Sequence, residues 1–230
     1  MLRLDRLMPL FPKRLLLAAC AVMLPLTVSP WPDLVVSGWF YRPGAGFYWR
    51  DLPLFRFILH DMPPLLLGGV ALLTLWSLLR PRLGAAVARL PGLSRRAVAY
   101  LLLSLGLGPG LLVNALLKAH WGRARPVQIT AFGGHAHYTP PLLPADQCVS
   151  NCSFSSGHGA LGFWVLALAL LAPPRLRRVM VALALMFGLL VGATRVIQGG
   201  HFLSDTVFSA FAVSLIDLWL WRWMLADPEG

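Results

Sequence analysis

The chain has 230 residues, of which 57% are hydrophobic and only 13% are charged, and its mean hydropathy is +0.69. Because soluble domains carry about 25% charged residues, this composition argues against a soluble protein and predicts a single membrane domain over residues 1–230. The formal net charge of +11 does not indicate nucleic-acid binding, since no soluble basic domain accompanies it, and it fits contact with anionic lipid.

Six apolar runs follow one another along the chain, and a membrane span needs about 20 mostly apolar residues. They predict an all-α polytopic membrane protein with six transmembrane helices. Buried core helices are excluded, because the runs have no polar faces to cover them. A cleaved signal peptide is an alternative for the first run, but no Ala-x-Ala-like site precedes the proline-rich residues 29–32. The six runs are residues 15–31, 62–79, 97–117, 157–172, 179–193 and 202–225.

Basic residues between the runs predict how the helices are oriented. Thirteen Lys and Arg residues, including Arg3 and Arg6, fall on one side of a six-span arrangement and seven on the other. Because Lys and Arg accumulate in cytoplasmic loops, both termini are expected in the cytoplasm. Cations on the opposite, outer side run against this rule and are expected to have a function. That side receives all six histidines together with Lys118, Arg123, Arg125 and Arg195.

Two segments are expected on the outer side. Residues 37–61 are rich in aromatic side chains, which favour the headgroup level of a bilayer, and they predict either an interfacial belt or a lid over the functional site. Residues 119–156 form a long loop that contains Cys148 and Cys152. In an oxidising compartment this pair can form a disulfide. Free thiols, or a metal site completed by loop histidines, are the alternatives, although zinc sites usually show a clearer four-ligand spacing.

Lys118 and Arg125 lie at the end of the third run. They are seven residues apart, about two helical turns, so both can point to one face of a helix. Pro126 is expected to end that helix, since the residue before a proline avoids helical geometry. Arginine offers a planar donor fork for phosphate and lysine a point charge. The pair therefore predicts an anion site, although basic residues at helix ends also extend towards lipid headgroups.

Ser156, Gly157 and His158 immediately precede the fourth run. They predict a helix N-terminus, where free amide groups and the helix dipole favour an anion. Ser156 can cap the helix or donate its hydroxyl to phosphate, and Gly157 lets a phosphate approach the backbone. His158 can protonate a leaving alkoxide. Taken alone, the tripeptide also fits a solvated capping turn.

His201 and Asp205 are four residues apart, so a helix places them on adjacent turns. The carboxylate can hold one ring nitrogen and leave the other to attack phosphorus. Arg195 precedes His201 by six residues, and Gly199 and Gly200 permit the turn between them. With the two preceding segments, these residues predict phosphoryl transfer, which requires positioning of the phosphate and neutralisation of its oxygens.

In order and spacing the three segments resemble the type 2 phosphatidic acid phosphatase family, over residues 97–225. The family pattern is Lys-x6-Arg-Pro, then Pro-Ser-Gly-His, then Ser-Arg-x5-His-x3-Asp. This chain departs from it at Ser155, which stands for the proline, and at Thr194, which stands for the serine. Serine remains a good turn residue and threonine keeps a hydroxyl, so neither departure removes a group that does chemistry.

The resemblance implies a six-helix membrane fold with the site at the membrane–water boundary. It implies His201 as a nucleophile that forms a phosphohistidine, Asp205 as the residue that orients it, and His158 as the general acid. It implies no metal and no cofactor. The phosphate would be held by Lys118, Arg125, Ser156, the Gly157 amide and Arg195.

The implied substrate is a phosphorylated lipid, with the active site facing the periplasm from a bacterial inner membrane. The outer loop resembles those of the lipid A phosphatase branch, so lipid A is the first expectation. Phosphatidylglycerol phosphate and undecaprenyl pyrophosphate are the alternatives. His120 and Arg123 could bind a second phosphate or a sugar, or could equally be ordinary interfacial residues.

Two other classes of protein fit part of the pattern. Vanadium-dependent haloperoxidases share this type of phosphate pocket, but they are soluble proteins. A transporter or a non-enzymatic scaffold would also contain intramembrane charges, but transporters place their polar sites near the midplane. A degenerate scaffold is expected to have lost His158 or His201, and both are present.

Overall fold

A computed structural model describes residues 12–226, and most of them are helical. The α-helices are α1 (Lys13–Val28), α2 (Trp31–Gly38), α3 (Pro53–His60), α4 (Met62–Leu79), α5 (Ala85–Ala88), α6 (Arg95–Leu105), α7 (Lys118–His120), α8 (Gly157–Leu170), α9 (Pro174–Ile197) and α10 (Leu203–Met224). A π-helical segment, Gly106–Leu117, joins α6 to α7, so that Arg95–His120 forms one continuous helix.

Short elements complete the described part of the chain. Strands β1 (Tyr41–Arg42) and β2 (Gly46–Phe47) pair antiparallel, with Tyr41 opposite Phe47. The predicted all-α class is confirmed apart from this small hairpin. Single turns of 3-10 helix occur at Arg80–Arg82, Pro126–Gln128 and Thr130–Phe132.

Four helices within residues 12–226 are long and apolar enough to cross a membrane: Met62–Arg82, Arg95–His120, Pro174–Ile197 and Leu203–Met224. Helices α1 and α2 pass the same criterion together but are bent by 79° where prolines follow Ser29, and they would be a fifth span if they cross as one. Helix α8 is apolar but has only 14 residues. A multi-pass helical membrane protein is therefore confirmed, whereas the count of six spans stays a prediction. Arg3 and Arg6 of the orientation argument lie outside the described residues.

The π-helical segment explains how the third run stays continuous across a proline. Pro109 has no N–H and its ring clashes with the preceding turn of an α-helix, and the wider π geometry accommodates it. The side-chain amide of Asn114 donates to the Pro109 carbonyl at 2.7 Å. The helix therefore reaches Lys118 without a break.

Helix α8 lies at the centre of the bundle and packs against α9, α10 and the π-helical segment. Trp164 is fully buried there and its indole N–H donates to Ser104 Oγ at 2.8 Å. Helix α9 can approach α8 closely because Gly188 has no side chain. A Cβ at this position would stand 2.4 Å from the Phe163 ring. This tight packing holds the N-terminus of α8 against the neighbouring helix ends.

The outer segments form a second, smaller core above the bundle. Phe47 of the hairpin packs with Phe132 of the loop, at 5.6 Å between ring centroids, and with the buried Phe202 at the start of α10. Helix α3 buries Ile58 and exposes Phe57. Residues 37–61 thus lie directly on the segments that carry the predicted site.

Candidate active site

The three polar segments predicted from the sequence meet at one end of the helix bundle. Lys118 comes from α7, His158 from the first turn of α8, and Arg195 and His201 from the end of α9 and the turn that follows. A Cβ at Gly157 would lie 3.6 Å from Lys118 Nζ. Arg195 and Lys118 also act electrostatically on the His201 ring. The packing of α8 between its neighbours produces this convergence.

His201 is 1% exposed, and its ring is held by one short contact. Nδ1 lies 2.7 Å from the carbonyl oxygen of Ser153 and 3.7 Å from Asp205 Oδ2. Because a carbonyl only accepts hydrogen bonds, Nδ1 carries the proton and Nε2 the lone pair. Burial lowers the pKa of His201 to about 3, against the opposing effect of Asp205. The neutral ring therefore presents a basic nitrogen at neutral pH.

The Asp205 carboxylate is fully buried and supports the same loop. Its Oδ2 accepts from Ser153 Oγ at 2.5 Å and from the Phe202 amide at 2.8 Å. Ser153 therefore contacts both partners, through its carbonyl to His201 and through its hydroxyl to Asp205. Asp205 was expected to hold the histidine ring directly, but its nearest oxygen lies 3.7 Å from Nδ1, and its hydrogen-bonded link to the ring runs through Ser153.

Arg123 is completely buried and bridges two carboxylates. It forms ion pairs with Asp205 and, at 2.7 Å, with Asp33. It also donates to Ser204 Oγ at 2.9 Å and to the Thr139 carbonyl at 2.8 Å. Burial opposes its charge, yet the two carboxylates raise the pKa of Arg123. Its donors are directed at protein groups, so the structure places Arg123 behind the site and not in the substrate-contacting position considered from the sequence.

Asp33 was not singled out from the sequence. Besides Arg123, it accepts from the Ser204 amide at 2.8 Å, from Ser204 Oγ at 2.6 Å and from the Tyr138 hydroxyl at 3.1 Å. It thereby ties α2 to the first turn of α10, which carries Asp205. In the sequence, Asp33 is a single carboxylate close to the first apolar run. Because charges at such positions usually have a role, this position could have identified it as a candidate residue.

The first turn of α8 has the predicted cap. Ser156 Oγ accepts from the Gly159 amide at 3.2 Å, and the Ser156 side chain is buried. His158 Nε2 lies 3.0 Å from the Leu59 carbonyl oxygen in α3. The outer segment 37–61 therefore touches one of the two predicted catalytic histidines.

Arg125 and Arg195 face a cavity of about 170 Å³ whose lining also includes Arg50 and Gln198. Arg125 donates to the Asn151 carbonyl at 2.7 Å, and Arg195 donates to the Gln198 side-chain carbonyl. Burial lowers the pKa of Arg125, Asp205 partly offsets this, and the nearby Arg50 lowers it further. Arg50 and Gln198 were not predicted from the sequence.

A second cavity, of about 450 Å³, runs from the other side of the site into the bundle. Lys118, Gly157 and His158 lie at its polar end, and apolar side chains such as Leu67 and Leu161 line the rest. Two other apolar cavities, of about 430 and 460 Å³, border α10 and have no charged lining residue. The cavity with the polar end is thus the one that joins an apolar groove to the predicted phosphate-binding residues.

The outer loop is fixed close to the site by a disulfide between Cys148 and Cys152, whose Cα atoms are 5.6 Å apart. The Cys152 amide donates to the Lys118 carbonyl at 3.2 Å. His120 is exposed and lines neither of the two cavities at the site. Within residues 12–226, no three His, Cys, Asp or Glu side chains are grouped so that they could hold a metal ion.

Three curated proteins give close matches to part of this chain. The lipid A 4'-phosphatase of Francisella tularensis subsp. novicida is 41% identical over 127 residues, which cover 55% of this chain and 57% of that protein. The lipid A 4'-phosphatase of Rhizobium leguminosarum is 46% identical over 101 residues, 44% of this chain and 43% of that protein. The lipid A 4'-phosphatase of Rhizobium etli is 46% identical over 99 residues, 43% of this chain and 38% of that protein.

The aligned region thus spans little more than half of the first relative and less than half of the other two. No solved structure matches the chain. The PAP2 superfamily matches residues 97–228, which contain all three polar segments and more than half of the chain. The chain therefore belongs to the PAP2 superfamily.

Proposed function

We propose that this protein is a membrane phosphatase that hydrolyses a phosphomonoester of a lipid through a phosphohistidine on His201. The observation that carries the proposal is the state of this ring. Nδ1 is bound to the Ser153 carbonyl, and no described residue hydrogen-bonds to Nε2. Lys118 and Arg195 act electrostatically on the same ring, and their charges suit a phosphate.

In the first step, Nε2 attacks phosphorus and the bond between phosphorus and the lipid oxygen breaks. The leaving alkoxide takes a proton from His158. In the second step His158 removes a proton from water, which attacks the phosphohistidine and releases inorganic phosphate and neutral His201. Asp205 and Ser153 stabilise the positive charge that the ring carries in between. Because His158 Nε2 is near the Leu59 carbonyl, its proton transfer requires either Nδ1 or a displacement of α3.

The phosphate oxygens would be held by groups whose positions the fold fixes. Gly157 leaves the first turn of α8 open to an anion, and Ser156 can still donate its hydroxyl hydrogen while its oxygen caps the helix. Lys118 supplies a point charge and the two arginines supply planar donors. These groups stabilise the charge that spreads over the oxygens in the transition state.

For the substrate we propose a phosphorylated lipid of the outer leaflet, with the 4'-phosphate of lipid A first, because the three relatives carry that name. The groove of about 450 Å³ supports a lipid, since its apolar walls lead away from the polar end at Lys118 and His158. Phosphatidylglycerol phosphate and undecaprenyl pyrophosphate are the alternatives.

We further propose six spans, with α8 as the short one, and both termini in the cytoplasm. The site would then face the periplasm from a bacterial inner membrane. The supporting observation is the distribution of basic residues, thirteen against seven, together with the position of the site at one end of the bundle.

The test is phosphate release from purified protein in detergent, with lipid A, phosphatidylglycerol phosphate, phosphatidic acid and undecaprenyl pyrophosphate as substrates and a chelator present. His201→Ala is compared with His60→Ala, which removes an exposed histidine on α3. Release from one lipid that His201→Ala abolishes and His60→Ala retains would support the proposal and identify the substrate. Absence of release from every lipid by folded wild-type protein would refute it for these substrates.

A further inference from the structure

Asn114 is a polar side chain in the apolar groove of about 450 Å³, and the proposed mechanism gives it no role. It belongs to the π-helical segment and lies between Pro109 and Lys118 along the continuous helix. Apart from Lys118 and His158, it is the one polar side chain among the described residues that line the groove. The groove therefore leads from the groups proposed to bind and protonate a phosphate, past one neutral amide, to apolar walls.

A hydrogen bond fixes how the Asn114 amide is oriented. Nδ2 donates to the Pro109 carbonyl at 2.7 Å, and because a carbonyl only accepts hydrogen bonds, the nitrogen and the oxygen of the amide cannot be exchanged. This contact uses one amide hydrogen and leaves Oδ1 without a hydrogen-bond donor among the described residues. A purely structural role for Asn114 would therefore explain the position of Nδ2 but not that of Oδ1.

The oxygen Oδ1 lies beside the place proposed for the phosphate. A Cβ at Gly157 would stand 2.9 Å from Asn114 Oδ1 and 3.6 Å from Lys118 Nζ, so both side chains approach the same face of the first turn of α8. With a phosphate oxygen bound to Nζ, a group attached close to the phosphate would lie next to Oδ1. Because an unpaired polar atom on an apolar wall is unfavourable, a hydrogen-bond donor on the lipid would stabilise the complex.

We propose that Asn114 Oδ1 accepts a hydrogen bond from a hydroxyl or an amide N–H that the lipid carries close to its phosphate. A lipid such as phosphatidic acid has only ester oxygens there, which cannot donate, and it would leave Oδ1 unpaired. Sites built around a hydrogen bond discriminate against ligands that lack the matching group. The resulting preference in catalysis rests on the proposed phosphatase function, whereas the hydrogen bond itself can be measured by binding alone.

The test compares Asn114→Leu with Leu67→Ala, which alters the apolar wall of the same groove and removes no polar atom. Three lipid monophosphates are assayed in detergent: ceramide 1-phosphate, with an amide N–H and a hydroxyl near the phosphate, lysophosphatidic acid, with a hydroxyl alone, and phosphatidic acid, with neither. We expect Asn114→Leu to lower kcat/KM for ceramide 1-phosphate about fivefold to tenfold and to leave that for phosphatidic acid unchanged. Leu67→Ala should change both values by the same factor.

The three lipids also separate the two kinds of donor. A loss with ceramide 1-phosphate and lysophosphatidic acid alike assigns the hydrogen bond to the hydroxyl, and a loss with ceramide 1-phosphate alone assigns it to the amide N–H. An equal loss on every lipid would show that Asn114 only supports the helix at Pro109 and would overturn the proposal. Unchanged kcat/KM on every lipid would overturn it as well.

Binding of the same lipids distinguishes a failure of this proposal from a failure of the phosphatase function. The rise in Tm with each lipid is measured for His201→Ala and for a double variant that also carries Asn114→Leu, neither of which is expected to turn over. A larger rise with ceramide 1-phosphate than with phosphatidic acid, lost in the double variant, would support the hydrogen bond. Should wild-type protein release no phosphate from any lipid, that result would refute the phosphatase function and leave the hydrogen bond standing. Equal rises in the two proteins would overturn the proposal, whatever the activity of wild type.

Discussion

Asp33→Asn is the change that tests the buried charge bridge behind the active site. Asparagine has the same shape and can still accept from Ser204, but it leaves Arg123 with Asp205 as its one counter-charge among the described residues. The side chains of this pair are 0% and 1% exposed. Breaking a buried ion pair from one side costs roughly 3–5 kcal/mol. For a chain of this size each kcal/mol lowers Tm by roughly 2–4 °C, so we expect Tm to fall by about 6–20 °C.

We expect the same substitution to slow catalysis only because it displaces groups of the proposed active site. Once Asp33 is neutral, Arg123 is drawn towards Asp205, which shifts Ser153 and the His201 ring that Ser153 holds. A misplacement of about 1 Å can cost roughly a hundredfold in rate. We therefore expect kcat to fall between about tenfold and a hundredfold, with KM changed less than about twofold, because the phosphate-binding groups are untouched.

The assay is phosphate release at a temperature well below the Tm of the variant, together with thermal unfolding in detergent. Asp51→Asn is the matched control, since Asp51 is an exposed carboxylate of the outer segment and such substitutions usually stay within about 0.5 kcal/mol. Tyr138→Phe removes one hydrogen bond to Asp33 and should cost about 1 kcal/mol. Equal Tm and equal kcat in Asp33→Asn and Asp51→Asn would refute the reasoning.

Three further predictions concern the site itself. The pKa of His201 is about 3 in the folded protein and about 6.5 when unfolded, so its contribution to stability is complete above pH 6.5 and is lost as the pH falls towards 3. In His201→Asn the plot of Tm against pH should flatten over this window. An unchanged curve would contradict the burial argument. Gly157→Ala places a methyl group 2.9 Å from Asn114 Oδ1, which must shift, and 3.6 Å from Lys118 Nζ, in the space that the phosphate needs, and should lower kcat/KM at least about a hundredfold. Opening the disulfide with Cys152→Ser releases the loop whose carbonyl holds Arg125, so KM should rise about tenfold, and reductant should have the same effect on wild type but none on the variant.

Local spacing predicted which side chains of the proposed active site lie close together, although the helix ends at His120 and does not carry both Lys118 and Arg125 up to Pro126, as was expected. His201 and Asp205 are four residues apart at a helix start, and Ser156 to His158 directly precede α8, so short-range geometry settles which side chains lie together. The fifth apolar run, residues 179–193, is shorter than helix α9, because the first turn of the helix contains three arginines; the helix begins at Pro174, where a proline is well tolerated. Short-range rules therefore found these elements and placed their ends less accurately.

The supporting residues could not be found by such rules. Asp33 and Arg123 are separated by 90 residues, and Asp33 and Ser204 by 171. Gln198 reaches the Arg50 carbonyl across 148 residues. Each contact depends on how the bent α1–α2 pair and the outer segment fold back over the bundle, and one sequence carries no periodic signal for this. Arg123 was assigned to the outer surface for the same reason.

The buried bridge from Asp33 through Arg123 to Asp205 extends beyond the part of the chain that matches the superfamily. The stretch shared with the superfamily begins at residue 97, yet one of the two counter-charges of its fully buried arginine lies 64 residues earlier, at position 33. A fragment cut at the family boundary would keep every motif residue and expose Arg123 on one side. Chimaeras between relatives should therefore exchange Asp33 together with the motif segments, because compatibility at that position decides whether a transplanted catalytic half retains its geometry.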